Sequence, residues 1–334
     1  MSGHAPVLLG PSLEGLRVMA GGRYLDGTFG GGGHTRAILD AAAPDGTVLA
    51  LDADPAAVAR AETLAGEPAY RGRLTAVHAN FSALADVAAA HGATPLDGVL
   101  LDLGMSSFQL DTAERGFAFR LEGPLDMRFD SSRGTPAATL VNDLDTDELT
   151  TILFRYGDES RSRRIARAIV AARDRAPITT TGALAAVIDA AVGGRRGAPT
   201  HPATRSFQAL RIAVNDELAV LHAALDGAVA ALGPGGRLAV IAFHSLEDRI
   251  VKRFIAERSA TCLCPPEMPV CTCDAQPALR KVGGSIRAGE AERLANPRSR
   301  SATLRVAART ENPAPALDHR YGPDGDAGAG EGWR

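Results

Sequence analysis

The stretch RYLDGTFGGGGH, residues 23–34, decides the fold of this chain. Its first four residues end in Asp26 and form a short apolar run that predicts a β-strand. The glycines that follow predict a tight turn into a helix from about Thr35 to Ala42. Glycine lets the backbone turn sharply and approach a ligand closely, and the first amides of a helix can face a polar or anionic group. The stretch therefore predicts a strand, a ligand-binding turn and a helix.

Alternating strands and helices extend outward from this turn. Apolar runs at residues 46–52, 74–78 and 97–102 predict three further strands, and Pro55 suits the first turn of a helix after the second. The alternation resumes later with a long helix at about 205–232 closed by the glycines of 233–236, a strand at 237–243, a helix at 246–258 and a last strand at 301–306. Strands that alternate with helices predict a parallel, doubly wound α/β sheet.

A helical segment interrupts this alternation. Between Asp111 and Thr204 the sequence is polar, shows helical patterns at 149–156, 161–173 and 184–192, and contains no convincing strand. We therefore predict a Rossmann-like α/β core formed by residues 1–110 and 205–310, with an inserted all-helical domain at 111–204. The tail at 311–334 is rich in Gly, Pro and Asp, a composition typical of disorder.

The composition places the chain among globular proteins. Hydrophobic residues make up 45% and charged residues 22% of its 334 residues, which argues against a wholly disordered chain. No run of ~18 apolar residues predicts a membrane span, and residues 1–10 lack the charged and apolar regions of a secretory signal. We expect a cytoplasmic protein with no membrane partner.

The charge is unevenly distributed. Residues 1–150 hold 10 basic and 20 acidic residues, a balance of −10, whereas residues 151–211 hold 11 and 4, a balance of +7. Within the basic block, Arg163, Arg164 and Arg167 gather on the helix face opposite Ile165 and Ile169, which makes them candidate phosphate contacts. Composition alone favours the plainer alternative, a solvated helical face.

All the cysteines of the chain lie close together, at Cys262, Cys264, Cys271 and Cys273. In a cytosolic chain such a cluster indicates metal ligation before disulfide bonding, and four thiolates suit tetrahedral zinc. The C-x-C spacing is not a common zinc-finger spacing. Reduced thiols in a proline-rich loop are the alternative, and both interpretations stay open.

Acidic residues end two of the predicted strands beside the glycine-rich turn. Asp52 ends the second strand, where a carboxylate can accept both hydroxyls of an adenosine ribose. Asp102 ends the fourth strand at the same edge, and His244 closes the fifth. The glycine spacing is G-x-x-G-x-G-G and not G-x-G-x-x-G, and Phe29 is bulky where a pyrophosphate needs room. These features indicate a nucleoside-bearing cofactor and count against a nicotinamide-dependent oxidoreductase.

Longer motifs resemble those of a known family. They are residues 24–30, 32–34, 102–107, 114–117, 123–128, 201–205 and 243–249. Together they are similar to the ribosomal RNA small subunit methyltransferase H family, also called the MraW family. The resemblance implies an S-adenosylmethionine-dependent methyltransferase fold and N4-methylation of a cytidine in the decoding centre of 16S rRNA, within the small ribosomal subunit. It implies substrate recognition by the helical insertion, and cofactor contacts by Gly32, Gly33, His34, Asp52, Phe81, Asp102 and Gln109.

The residues that handle the target base are less well defined. Many amino-methyltransferases end the fourth strand with Asp or Asn, two prolines and an aromatic residue, but here Asp102 is followed by Leu-Gly. Phe108, Phe117 and Phe119 are therefore unranked candidates for stacking on the base. We predict Asp102 as the catalytic acceptor of the target amine, with His244 and Asn215 next in line, and we assign no metal to this site.

One competing function is RNA binding without catalysis. A non-catalytic assembly factor would bind the small subunit through the arginine-rich insertion without transferring a methyl group. It would differ from an enzyme in leaving the rRNA unmodified despite binding cofactor.

Overall fold

The computed structural model describes residues 6–194, 201–262, 264, 270 and 272–313. The chain divides into two compact units. The sheet unit comprises Met1–Gly104 and Leu218–Arg334, and the helical unit comprises Met105–Glu217.

The helices and strands follow one another in a single order along the described residues. They are α1 (Leu9–Leu16), β1 (Arg23–Asp26), α2 (Gly33–Ala41), β2 (Thr47–Asp52), α3 (Pro55–Gly66), β3 (Leu74–His78), α4 (Leu84–Ala90), β4 (Leu96–Asp102), α5 (Ser107–Asp111), α6 (Ala137–Asp143), α7 (Thr146–Gly157), α8 (Ser162–Arg173), α9 (Thr181–Val192), α10 (Ala203–Asn215), α11 (Glu217–Ala231), β5 (Leu232–Ala242), α12 (Ser245–Arg258), β6 (Leu279–Arg287), α13 (Glu290–Ala295) and β7 (Thr303–Arg309).

The sheet is the doubly wound sheet that the alternation predicts. Its strand order in the described chain is β3-β2-β1-β4-β5-β7-β6. The pairs from β3 to β5 are parallel, and β7 runs antiparallel to both β5 and β6. The chain moves outward in one direction from β1 to β3 and in the other from β4 to β5. Ligands of such sheets bind at this reversal, beyond the carboxyl ends of the strands.

Both faces of the sheet are covered. Successive residues of a strand point to opposite faces, so Leu100 and Leu101 of β4 enter different cores. Leu101 packs in the cluster that contains Leu225 of α11 and Val251 of α12. Leu100 packs in the cluster that contains Ile38 of α2. Burial on both faces explains why the central strands are continuous apolar runs.

The helical unit has a core of its own. Its buried residues include Leu149 and Leu153 of α7, Ile165 and Ile169 of α8, and Leu210 of α10. The three arginines at positions 163, 164 and 167 are exposed on α8, as the helical spacing predicts. Because α10 is buried in this core, the unit ends at Glu217 and not at residue 204, and it begins at Met105 and not at residue 111.

The long helix predicted at 205–232 is wrong, because two helices occupy this region. Asp216 lies between α10 and α11 with φ 48° and ψ 40°, a left-handed conformation that ends the first helix. A buried ion pair spans the break, with Arg211 Nε 2.6 Å from Glu217 Oε1. The glycines of 233–236 lie inside β5, which begins at Leu232.

Several described elements match no helix or strand predicted from the sequence. They include α1, α5, α6, α13 and the edge strand β6. Among the described residues, none of the helices combines the length and the apolar character needed to cross a membrane.

Candidate functional site

The glycine-rich turn is held against the ends of β2 and β4 by backbone hydrogen bonds. The amide of Gly27 donates to Leu100 O at 2.9 Å, and the amide of Phe29 donates to Leu51 O at 3.0 Å. Gly32 has φ +76°, and a Cβ atom there would collide with the ring of Phe29. At Gly33, the first residue of α2, a Cβ atom would collide with Pro6. Both glycines are therefore required by the turn itself.

The buried carboxylate of Asp26, at the end of β1, holds the glycine-rich turn through hydrogen bonds. Asp26 accepts hydrogen bonds from the Thr28 amide at 3.0 Å and from the Thr35 hydroxyl at 2.6 Å. Burial raises the pKa of Asp26 above its ordinary value, against the opposing effects of the Thr35 hydrogen bond and the neighbouring His34. Sequence reasoning placed Asp26 in a strand and gave it no role, although its position at a strand end was a signal.

Thr28 connects this carboxylate to the next strand. Its hydroxyl donates to Asp26 Oδ1 at 3.3 Å and accepts the backbone amide of Asp102 at 2.7 Å. The hydroxyl therefore fixes the start of the glycine-rich turn to the end of β4. This bridge places the Asp102 backbone by contacts that are independent of its side chain.

The Asp102 side chain lies beside His34 of α2. His34 Nδ1 is 3.4 Å from Asp102 Oδ2, and its Nε2 is 3.1 Å from the carbonyl oxygen of Val7. A carbonyl and a carboxylate can only accept hydrogen bonds, so both ring nitrogens face acceptors and the doubly protonated ring satisfies both. Burial by itself lowers the pKa of His34, but the hydrogen bond and charge of Asp102 outweigh it, and the pKa lies above its ordinary value.

The second oxygen of Asp102 has no hydrogen-bond donor among the described residues. Asp102 Oδ1 is buried, and no donor in the described part of the chain bonds to it. A buried acceptor without a partner costs about 1–3 kcal/mol, so such atoms in native proteins require a ligand or water. The site therefore presents an acceptor at the carboxyl end of β4, next to an imidazole whose pKa is raised.

Asp52 lies on the other side of the turn. Its Oδ2 accepts the Gly30 amide at 2.7 Å, and its Oδ1 accepts the Asp54 amide at 2.8 Å. Burial raises the pKa of Asp52 to about 6 from its ordinary value of 3.8, although both backbone amides oppose the shift. Each oxygen keeps a further lone pair, so the carboxylate can still accept hydroxyl donors.

Two other predicted cofactor residues lie in different units. Phe81 begins a short 3-10 turn after β3 and packs beside Gly27, so it lies at the same edge of the sheet. Gln109 belongs to the helical unit. Its side-chain Oε1 accepts a hydrogen bond from the backbone amide of Ser106 at 2.9 Å, and the backbone amide of Gln109 donates to Ser106 Oγ at 3.2 Å. This capping box begins α5, so Gln109 already has a structural task.

Asn215 and His244, the two residues next in line after Asp102 as acceptor of the target amine, have structural roles as well. Asn215 accepts the Phe129 amide at 2.7 Å and donates to the carbonyl oxygens of Met127 and Arg211 at 2.8 and 2.9 Å. Its side chain therefore bridges segments within the helical unit. His244 caps α12, with Nδ1 accepting the Glu247 amide at 3.4 Å.

The three aromatic candidates for stacking on the base differ in packing and exposure. Phe117 stacks on Phe129 with ring centroids 5.5 Å apart, and Phe119 stacks on His201 at 4.5 Å. Phe108 is 48% exposed. Exposure therefore distinguishes Phe108 from the two rings packed inside the helical unit.

Comparison with known proteins decides the family. The sequence model of the MraW methylase family matches residues 1–310 of this chain. The chain belongs to the MraW methylase family. Its core is the Rossmann-like methyltransferase fold, and its cofactor is S-adenosylmethionine. The nicotinamide-dependent alternative is therefore wrong.

Several relatives of this methylase are named for their substrate. A protein of Thermomicrobium roseum called ribosomal RNA small subunit methyltransferase H is 56% identical over 92% of this chain and 93% of its own length. Proteins of the same name from Dehalococcoides mccartyi and Granulibacter bethesdensis are 49% and 52% identical, over 93% and 91% of this chain and 87% and 90% of theirs.

Proposed function

We propose that this methylase transfers a methyl group from S-adenosylmethionine to the exocyclic N4 of a cytidine in the decoding centre of 16S rRNA. Family membership and the names of its relatives support small-subunit rRNA as the substrate. The observation that carries the chemistry is the buried Oδ1 of Asp102, an acceptor without a donor at the reversal point of the sheet. Such an atom fits a methyltransferase that must hold an N–H group.

The cofactor residues divide by chemistry. Asp52 accepts the ribose hydroxyls, and Phe81 flanks the adenine. Gly32 and Gly33 face the cofactor with their backbone, in a turn that requires glycine at both positions because a side chain there would collide with Phe29 or Pro6. His34 and Gln109 complete the set that the family motifs identify. When bound, the cofactor supplies an electrophilic methyl group on a sulfonium.

Asp102 polarises the target amine. The N4 lone pair of cytidine is delocalised into the ring, so the nitrogen is planar and a poor nucleophile. A carboxylate that accepts its N–H groups favours the pyramidal form and stabilises the positive charge that develops on nitrogen. His34 engages Oδ2 and leaves Oδ1 for the amine.

The helical unit recognises the RNA. Arg163, Arg164 and Arg167 are exposed on α8, within the block of balance +7. Exposed arginines on one helix face are suited to phosphate contacts. Phe108, the exposed ring of the three candidates, is our choice for stacking on the target base.

The test is methylation of small ribosomal subunits isolated from a strain that lacks the methylase. We expect transfer of labelled methyl from S-adenosylmethionine, and mass spectrometry of the digested rRNA to find N4-methylcytidine at one position. Methyl on another atom would contradict the assigned chemistry. Cofactor binding without any methyl transfer would favour the non-catalytic assembly factor.

A further inference from the structure

Three thiols converge in the connection between α12 and β6. The Sγ atoms of Cys262, Cys264 and Cys273 all lie within 4.8 Å of one another. The Sγ atoms of Cys262 and Cys273 are 3.9 Å apart, and none of the three cysteines forms a disulfide. Their arrangement is independent of the cofactor site, and nothing in the methyl-transfer chemistry uses them.

The separation of the sulfurs suits a metal ion. Zinc–thiolate bonds are about 2.3 Å long, so two sulfurs at neighbouring corners of a tetrahedron around Zn²⁺ lie about 3.8 Å apart. The separation of 3.9 Å between Cys262 and Cys273 matches this edge. A disulfide would require about 2.05 Å. This pair is therefore spaced as two ligands of one ion, and the sulfur of Cys264 lies within 4.8 Å of both.

The donor chemistry selects the ion. The cluster is made of thiols, and no carboxylate or imidazole belongs to it among the described residues. Thiolates select zinc over magnesium or calcium, which prefer oxygen ligands. The Thr272 amide donates to Cys264 Sγ at 3.4 Å. A backbone amide that donates to a ligand sulfur orients the ligand, as outer groups do in metal sites.

We propose that Cys262, Cys264 and Cys273 bind a structural Zn²⁺ ion. Cys262 lies four residues after Arg258, the end of α12, and Cys273 lies six residues before Leu279, the start of β6. The ion closes a long connection that has no helix or strand among its described residues. It thereby fixes the path of the chain into the edge strand β6. Cys271 lies outside the described residues.

Elemental analysis of the full-length protein, purified without chelators, tests this site. We expect about one zinc per chain in the wild type and less than a tenth of that in the double variant Cys262→Ser, Cys264→Ser. Thr261→Ala changes an exposed neighbour of Cys262 and keeps every thiol, so it should keep the zinc. Replacing zinc by Co²⁺ should give thiolate-to-cobalt charge-transfer absorption in the wild type and the control variant.

A second measurement uses only the wild type, so it tests the proposal even if the double variant fails to fold. Stripping the wild type with 1,10-phenanthroline should leave its far-ultraviolet circular dichroism unchanged. Proteinase K cleavage within residues 259–278 should become at least tenfold faster, and added Zn²⁺ should reverse it. The proposal is overturned if the zinc-equilibrated wild type holds no zinc and gives no cobalt–thiolate band. Retention of a full equivalent of zinc by the double variant would also overturn it.

Discussion

The pH dependence of cofactor affinity tests the role of Asp52 directly. The ribose hydroxyls are donors, so they need the ionised carboxylate as acceptor. The pKa of Asp52 is raised to about 6 by burial, which places its titration between pH 5 and 7. We therefore expect wild-type affinity for S-adenosylmethionine to fall as the pH is lowered through this window.

The magnitude follows from the fraction of Asp52 that is ionised. With a pKa of about 6, roughly nine-tenths of the carboxyl is ionised at pH 7 and roughly one-tenth at pH 5. The dissociation constant should therefore rise about tenfold, which is about 1.4 kcal/mol. Isothermal titration calorimetry of the full chain at pH 7, 6 and 5 measures this change.

A pair of variants isolates the carboxylate. Asp52→Asn removes the titrating group, so its affinity should be at least ~10-fold weaker at pH 7, through loss of charge-assisted hydrogen bonds, and nearly constant down to pH 5. Asp54→Asn is the matched control, because Asp54 caps α3 through the Ala56 amide and asparagine caps equally well. It should keep a pH-dependent affinity like that of the wild type, displaced slightly toward lower pH, because the Asp54 charge contributes to the raised pKa of Asp52.

The fall in cofactor affinity at low pH cannot come from unfolding caused by protonation of Asp52. A carboxyl whose pKa is raised on folding contributes stability that is fully present below its unfolded value, 3.8, and lost as the pH rises through about 6. Protonation of Asp52 thus favours the folded chain while it weakens cofactor binding. A wild-type affinity that does not change with pH, or a fall of equal size in Asp52→Asn, would refute the reasoning.

Three further outcomes are expected. Asp102→Asn should lower single-turnover methylation at saturating cofactor by about 10²–10³ and change cofactor affinity less, and a wild-type rate would make Asp102 purely structural. The raised pKa of His34 means that its contribution to stability is present below about 6.5 and lost as the pH rises through the folded value. Urea unfolding at pH 6 and pH 9 should therefore show a larger loss of stability in the wild type than in His34→Gln, and equal losses would contradict the imidazolium. Replacing Arg163, Arg164 and Arg167 with Gln should flatten the slope of log affinity for rRNA against log salt by about 2–3, since each phosphate contact contributes about 0.7–0.9. Cofactor affinity should stay unchanged and is the internal control. An unchanged slope would mean that this face of α8 is only solvated and makes no phosphate contacts.

The central parallel strands are predictable because they are buried on both faces. Burial makes β2 and β4 continuous apolar runs, which a sequence shows directly. The edge strand β6 carries Arg280, Lys281 and Gly283 and is mostly exposed, so it has no apolar pattern. Its strand geometry comes from antiparallel pairing with β7, a contact between distant residues.

The break after α10 is hidden from sequence for a different reason. The apolar pattern continues from α10 into α11, and one left-handed residue, Asp216, redirects the chain. Aspartate tolerates this conformation better than most residues, but it does not demand it. The Arg211–Glu217 ion pair and the bridging side chain of Asn215 support the turn, and these contacts form only once the helical unit has folded.

The candidate site was predictable as an edge of the sheet, but its electrostatics were not. The strand ends place Asp26, Asp52 and Asp102 together from topology alone. The pKa of His34 is raised chiefly by the hydrogen bond and charge of Asp102, and to a smaller extent by Asp26 and by the Val7 carbonyl, which approaches Nε2 from a segment 27 residues away along the chain. That contact makes one nitrogen a donor and leaves the other to face Asp102. His34 then holds Oδ2 of Asp102, so a residue outside β4 decides which oxygen of this carboxylate is left without a donor in the described part of the chain.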